Sequence, residues 1–431
     1  MNLLRRLILF APVLLLIAVH AIGGNPAGGA PPPSQFNRPA ARSKAFAPDK
    51  FLRAFRGNRE DARHRVLDAA EAFHQAEAQL PPTLWQVIEP ALKTATVPES
   101  LLRAVRLYVR LTEPESNPRL FALLTAADVR VAVLAVDALG QRRPDGSFER
   151  LAKLKEQPAY AASYALRHAV VMAVARFDEQ AAVEFLIAAI GESDGQVKYE
   201  IARQLARLTG QNFGGKVSDW EEWWERNRAT FQVVRTGQAP NAGTKAAVIP
   251  WDHDVPQFFG APIFAKRIVF VIDISKSMLS SVDGVTRLAD AEKELEAAIR
   301  KLPDDTWFEI IAYNDAEQAF RGRLVQATPH EKGRAVQFTY SLVADGKTDV
   351  YDTLTDALQV DPYLEAILFL SDGDPNVGTI VDRPTIVQMI TQQNAGRRVS
   401  INTIGIDAQG ASEDFLKQLA ADNFGEFRSL R

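Results

Sequence analysis

Residues 266–278 read Lys266-Arg-Ile-Val-Phe-Val-Ile-Asp273-Ile-Ser275-Lys-Ser277-Met278, and this stretch decides the fold. After two basic residues the chain is continuously apolar to Ile272, rich in Ile and Val, and then turns polar at alternate positions. Alternation of apolar and polar residues would mark a strand with one wet face. An unbroken apolar run marks a strand buried on both faces, in a sheet with helices on each side. Working outward, the same grammar recurs. Residues 287–301, 351–360, 385–394 and 411–420 have helical periodicity, and Trp307–Tyr313, Ala366–Leu370, Val399–Ile406 and Phe424–Leu430 read as strands. The C-terminal third is therefore predicted to be an α/β doubly wound, Rossmann-like domain with a mostly parallel central sheet. Such sheets bind ligands at the carboxyl ends of their strands.

The polar residues of interest fall at those ends. Asp273, Ser275 and Ser277 follow the first strand, spaced so that a tight loop turns all three side chains towards one point. A second apolar strand ends in Ser371-Asp372-Gly373, and Gly346-Lys-Thr348-Asp supplies a third loop with another hydroxyl. Carboxylates, hydroxyls and water are the ligands a hard cation such as Mg2+ takes in near-octahedral geometry. Asp283, Asp345, Asp349, Asp352 and Asp374 make the rim acidic, each of them more simply read as a solvated loop acid.

Here the sequence resembles the von Willebrand factor type A domains with their metal-ion-dependent adhesion site. Asp273-x-Ser275-x-Ser277 matches the family's first motif, Thr348 its later threonine, and Asp372 its later aspartate before a glycine. The resemblance spans about residues 266–431. It implies metal ligation by Asp273, Ser275, Ser277, Thr348 and Asp372. The serines and the threonine would be direct ligands, and the aspartates would often act through water. One coordination position would be left for a Glu or Asp of a protein partner. Mg2+ is the expected ion, with Mn2+ or Ca2+ able to replace it.

From residue 49 to 232 the pattern is helical, with apolar-periodic segments at 59–78, 98–111, 116–125, 128–139, 159–176, 180–190 and 195–208. Three of them open alike, at Arg130-Val-Ala-Val, Arg167-His-Ala-Val and Lys198-Tyr-Glu-Ile, the basic residues lying 37 and 31 positions apart. This is near the length of a two-helix repeat, and the block resembles HEAT-like helical repeats, an irregular bundle being the alternative. Trp220 and Trp224, at i and i+4, are expected to cover the end of the stack. His168 is expected to pack between repeats. Residues 233–262 carry Pro250, Pro256 and Pro262 and read as a linker, leaving 263–431 for the α/β domain.

The first 21 residues combine Arg5 and Arg6, a greasy stretch from Leu7 to Val19 and a small-residue pattern at Val19-His-Ala21. That is the grammar of a signal peptide, a retained N-terminal anchor being the alternative. Residues 22–48, dominated by Gly, Pro and Ala, read as a flexible tether. The expected location is outside the cytoplasm of a bacterial cell: periplasmic, cell-surface or extracellular. Membrane contact is expected only if the leader is retained.

Composition excludes some classes. The 431 residues carry a net charge of −3 and no cysteine, so nucleic acid is not an expected partner and disulfides are impossible. Neither metal loop holds a histidine, no nucleophile elbow is present, and Asp345-Gly-Lys-Thr348 lacks the glycines of a phosphate-binding loop. The expectation is a cation-dependent protein-binding module, not an enzyme, with the helical repeats as a second protein-binding surface. An envelope-associated scaffold and a metal-stabilised structural domain are the alternatives.

Overall fold

The computed structural model describes residues 47–57, 59–77, 83–111, 117–233, 250–251, 254–372 and 374–430. The leader, and all of the tether but its last two residues, lie outside them, as do residues 234–249, 252–253 and Gly373.

A helical region comes first. Its helices are α1 (Pro48–Arg56), α2 (Glu60–Glu77), α3 (Thr83–Ile88), α4 (Glu99–Leu111), α5 (Asn117–Leu123), α6 (Val129–Arg142), α7 (Ser147–Ala152), α8 (Pro158–Ala162), α9 (Tyr164–Val174), α10 (Gln180–Gly191), α11 (Gly195–Thr209) and α12 (Val217–Asn227). The most apolar of the long helices sit deepest. In α6, Val131 to Val136 are all buried, and the helix starts where the Asp128 carboxylate accepts the Arg130 N–H. It crosses α9 at Gly140, where a Cβ would lie 2.5 Å from the Ala173 Cβ, so only glycine permits that approach. Helix α12 closes the far end. Trp220 and Trp224 are buried against Val183, Leu186 and Leu205, and the Trp220 indole donates to the Gly214 carbonyl at 2.8 Å.

The α/β domain holds β1 (Gln257–Phe258), β2 (Ala261–Pro262), β3 (Arg267–Asp273), β4 (Ser281–Val282), β5 (Val285–Thr286), α13 (Arg287–Lys301), β6 (Trp307–Tyr313), β7 (Glu317–Ala319), β8 (Val325–Gln326), α14 (Pro329–Thr339), α15 (Val350–Gln359), β9 (Ala366–Ser371), α16 (Arg383–Asn394), β10 (Ser400–Ile406), α17 (Ala411–Asp422) and β11 (Phe427–Leu430). The main sheet runs β11-β10-β9-β3-β6-β7, with β8 also on β6. Four parallel pairings join its central strands β11, β10, β9, β3 and β6, and β7 and β8 add antiparallel pieces at one edge. Two apolar layers flank it. One holds Phe270, Leu368, Leu295 and Phe308, the other Val271, Phe369, Leu354 and Ile390. A helical region followed by a mixed α/β domain with parallel strands is thus the architecture. The hairpin of β6 with β7, and α14, escaped sequence reading: the α14 segment PHEKGRAVQFT has too few apolar residues to show a period.

The chain leaves β3 for β6 on one side, while β9, β10 and β11 build out on the other. The order therefore reverses between β3 and β9, and the loops leaving their carboxyl ends are splayed apart there.

The helical region and the α/β domain meet along a polar joint. Arg398, at the turn before β10, is 2% exposed. Its Nη1 lies 3.2 Å from Asp137 Oδ1 on α6, its Nε donates to His168 Nδ1 on α9 at 3.3 Å, and its guanidinium sits 4.0 Å over the Phe424 ring. His168 thus packs on the α/β domain as well as among the helices. Arg203 with Glu426 and Lys266 with Asp194 extend the joint at 3.3 and 2.8 Å.

Candidate metal centre

Register brings the first two loops together. Ile272 on β3 faces Leu370 on β9, so Asp273 and Ser371 end their strands side by side. Asp273 is fully buried and saturated with donors. Its Oδ1 accepts the Ser275 N–H at 2.8 Å, and its Oδ2 accepts hydroxyls from Ser371 at 2.8 Å and Tyr313 at 3.3 Å. Burial pushes this carboxyl up to about 6, and the nearby Asp372 charge adds to the rise, against the lowering by hydrogen bonds from Ser275 and Ser371.

From Asp273 a polar chain crosses the edge. Ser275 Oγ lies 3.0 Å from Ser277 Oγ, and Ser277 Oγ donates to Asp372 Oδ1 at 2.7 Å. The other oxygen of Asp372 meets the Arg287 guanidinium at 2.6 Å. Ser275 is buried and Ser277 exposed, so the chain surfaces at Ser277 between the buried carboxylates of Asp273 and Asp372.

Thr348 joins through its backbone. Its loop is tied to the first by Lys276 N–H to Gly346 O at 3.2 Å and Asp345 N–H to Ile274 O at 2.9 Å. Asn376 ties it to the loop after β9: its Oδ1 accepts the Thr348 N–H at 3.0 Å, and its own N–H returns to Thr348 O at 3.1 Å. Gly346 has φ +73°, and a Cβ there would meet the Asp315 carboxylate, so the turn presenting Thr348 needs glycine.

Four of the five residues read from the sequence therefore form one hydrogen-bonded chain, and the fifth sits on a loop laced to both others. Three of the rim acids have structural partners. Asp349 caps α15 by accepting the Asp352 N–H, Asp352 accepts the Thr379 N–H, and Asp374 holds Ser412 and Arg383. Sequence reading missed Ser371, Tyr313, Arg287 and Asn376. Ser371 was accessible from register alone, whereas Asn376 lies on a loop whose course no periodicity reveals, and Arg287 opens a helix whose period does not say where its guanidinium reaches.

Among the described residues, no group of three or more His, Cys, Asp or Glu side chains gathers where a metal could sit. The donor set is of another kind: two carboxylates whose oxygens are already hydrogen-bonded, and the hydroxyls of Ser275, Ser277 and Thr348, with lone pairs to offer. That suits a small hard cation that keeps part of its water shell, and does not suit zinc, which takes nitrogen and sulfur.

Residues 266–428 match the family described as von Willebrand factor type A domain. The human inter-alpha-trypsin inhibitor heavy chain H6 is 29% identical over 187 residues, covering 40% of this chain and 14% of that protein. The heavy chain H3 of Mesocricetus auratus is 30% identical over 182 residues, covering 40% and 20%. The match thus spans a fifth or less of the length of these relatives. A solved von Willebrand factor type A structure from Catenulispora acidiphila is 21% identical, covers 38% of each chain and superposes with a TM-score of 0.33. Residues 266–428 are accordingly a von Willebrand factor type A region by that family match, and the rest of the chain lies outside it.

Proposed function

We propose that this module binds its partner through a divalent cation, Mg2+ in the cell, held at the carboxyl ends of β3 and β9. Ser275, Ser277 and Thr348 are the direct ligands, with Asp273 and Asp372 behind them. A bound Mg2+ supplies Lewis acidity towards an incoming carboxylate, so the partner presents a Glu or Asp. The observation that carries this reading is the continuous chain Asp273–Ser275–Ser277–Asp372, anchored by a buried carboxylate at each end and open to solvent at Ser277. Both carboxylates are occupied by protein donors, which leaves the hydroxyls as the neutral ligands that keep a cation electrophilic.

The reading extends to the whole chain. The protein is exported, through the basic and apolar grammar of residues 1–21, and the helical region, repeating in HEAT-like fashion, offers a second protein-binding surface. An envelope scaffold held by a retained leader is the second reading, favoured by the packing of helical region and α/β domain across the Arg398 joint. The test is capture of partners by the full mature chain in Mg2+, in chelator, and as Asp372→Ala in Mg2+. A partner held only by the unmutated chain in Mg2+ is the expected result. Equal capture in all three arms rejects the cation-bridged mechanism.

A further inference from the structure

We infer that Arg287 is a built-in counter-charge that caps the anionic charge of the metal centre and so keeps a bound cation receptive to an acidic ligand. This rests on the cation reading above and adds the group that sets how tightly the cation is held.

Arg287 is the first residue of α13, directly after Thr286, whose hydroxyl accepts the Ala289 N–H and starts the helix. From there the guanidinium reaches two strand ends. Its Nη1 lies 2.6 Å from Asp372 Oδ2, after β9, and its Nη2 and Nε lie 3.0 and 3.1 Å from Asp407 Oδ2, after β10. The Asp372 side chain is 0% exposed and that of Arg287 20%. Asp407 is held in the left-handed region at φ 50°, with its N–H on the Leu430 carbonyl at 2.9 Å, so the far anchor of the guanidinium is fixed by the fold.

The consequence is electrostatic. Two carboxylates near one point would hold a divalent cation tightly and cancel its charge, leaving little attraction for a third. With a fixed guanidinium on the outer oxygen of Asp372, only its inner oxygen, bonded to Ser277, faces the centre. The centre is then less anionic than its two aspartates suggest. The same pairing neutralises Asp372 when no cation is bound, so the edge is held together in either state. A shielded ion pair of this geometry is short and charge-assisted, and is not easily displaced by solvent.

The experiment is Mg2+ titration by calorimetry on the full mature chain, with thermal unfolding in chelator and in Mg2+ as a second readout. Arg287→Gln, which keeps amide donors and removes the charge, is expected to bind Mg2+ about tenfold more tightly, since a like charge close to the cation is gone. Its unfolding temperature in chelator falls, and its rise on adding Mg2+ exceeds that of the unmutated chain. Arg287→Lys loses the fork that spans Asp372 and Asp407 but retains the charge, and stays within about threefold of the unmutated affinity, as a counter-charge requires. Should Arg287→Gln fold poorly, Asp407→Asn asks the same question from the other side. It leaves the whole guanidinium charge on Asp372, and Mg2+ binding is expected to weaken. Equal or weaker Mg2+ binding by Arg287→Gln, or unchanged binding by Asp407→Asn, overturns the inference and leaves the cation site standing. Absence of Mg2+ binding in the unmutated chain and all variants overturns both.

Discussion

Two of the arginine–aspartate pairs among the described residues, one at the joint and one at the sheet edge, differ sharply in what surrounds them. At the joint, Arg398 is closed in by Asp137, His168 and Phe424 and is 2% exposed. At the sheet edge, Arg287 meets Asp372, which hands its other oxygen to Ser277 on the surface. Both pairs depart from the ordinary surface ion pair, which is worth little. Burial of charge therefore does not by itself mark a site. The distinction lies in what the spare bonding groups face: at the edge the Ser277 hydroxyl opens to solvent, while at the joint Arg398 Nη2 and His168 Nε2 are buried without a partner among the described residues. On the proposed reading the first receives a ligand, and the second holds two regions together.

Breaking the joint should produce the largest loss of stability. Asp137 serves Arg176 at 2.8 Å as well as Arg398 at 3.2 Å. Asp137→Ala leaves a guanidinium buried with a neutral imidazole and a ring as its remaining company. Removing one partner of a buried pair costs about 3 kcal/mol, and urea unfolding should show a loss of that size. Mg2+ affinity of the folded protein should not change. A loss below about 1 kcal/mol would mean that Arg398 finds water, and the contrast between the two places would dissolve.

A smaller effect comes from pH. Burial, and then the Arg398 charge, hold the His168 imidazole well below its ordinary range. Its Nδ1 accepts from Arg398 Nε, so the ring is neutral in the folded chain. In the unfolded chain it titrates normally near 6.5. A group whose folded pKa is depressed contributes stability that is present above the unfolded value and lost as pH falls. The loss from this residue should approach about 1.4 kcal/mol per unit once pH is well below 6.5. Chemical unfolding at pH 8 and pH 5.5 measures it, and His168→Gln should flatten that part of the profile. An unchanged slope in the variant would show that other groups set it.

The same contrast explains what could be read from sequence. Ile268–Ile272 and Ile367–Leu370 announced themselves as doubly buried strands because in such strands every side chain is apolar, and chain order then placed Asp273 and Asp372 at one edge. The joint left no such trace. Arg398 stands in no apolar pattern, and only the tertiary fold, 230 residues away from His168 in sequence, makes it a core element. Arg287 was equally silent, since a basic residue opening an amphipathic helix has no period to betray it. Local patterns report which face of an element is dry, and they do not report which long polar side chain spans the gap between elements.

The smallest change in stability should come from the residue that matters most for the proposed function. Asp372→Asn keeps the shape of the carboxyl, so Ser277 still has an oxygen to bond, and Arg287 retains Asp407 at 3.0 Å. What is lost is one charge that the guanidinium had already compensated in part. Unfolding in chelator should therefore move by no more than about 1 kcal/mol, the scale of a single exchanged hydrogen bond. The stabilisation added by Mg2+ should nonetheless vanish, because binding linkage disappears when affinity falls far below the metal concentration. A variant that is as stable as the parent in chelator, and alone fails to respond to Mg2+, would separate the receiving edge from the holding joint in one measurement. A variant that unfolds in both conditions would place Asp372 with Arg398, as a part of the scaffold.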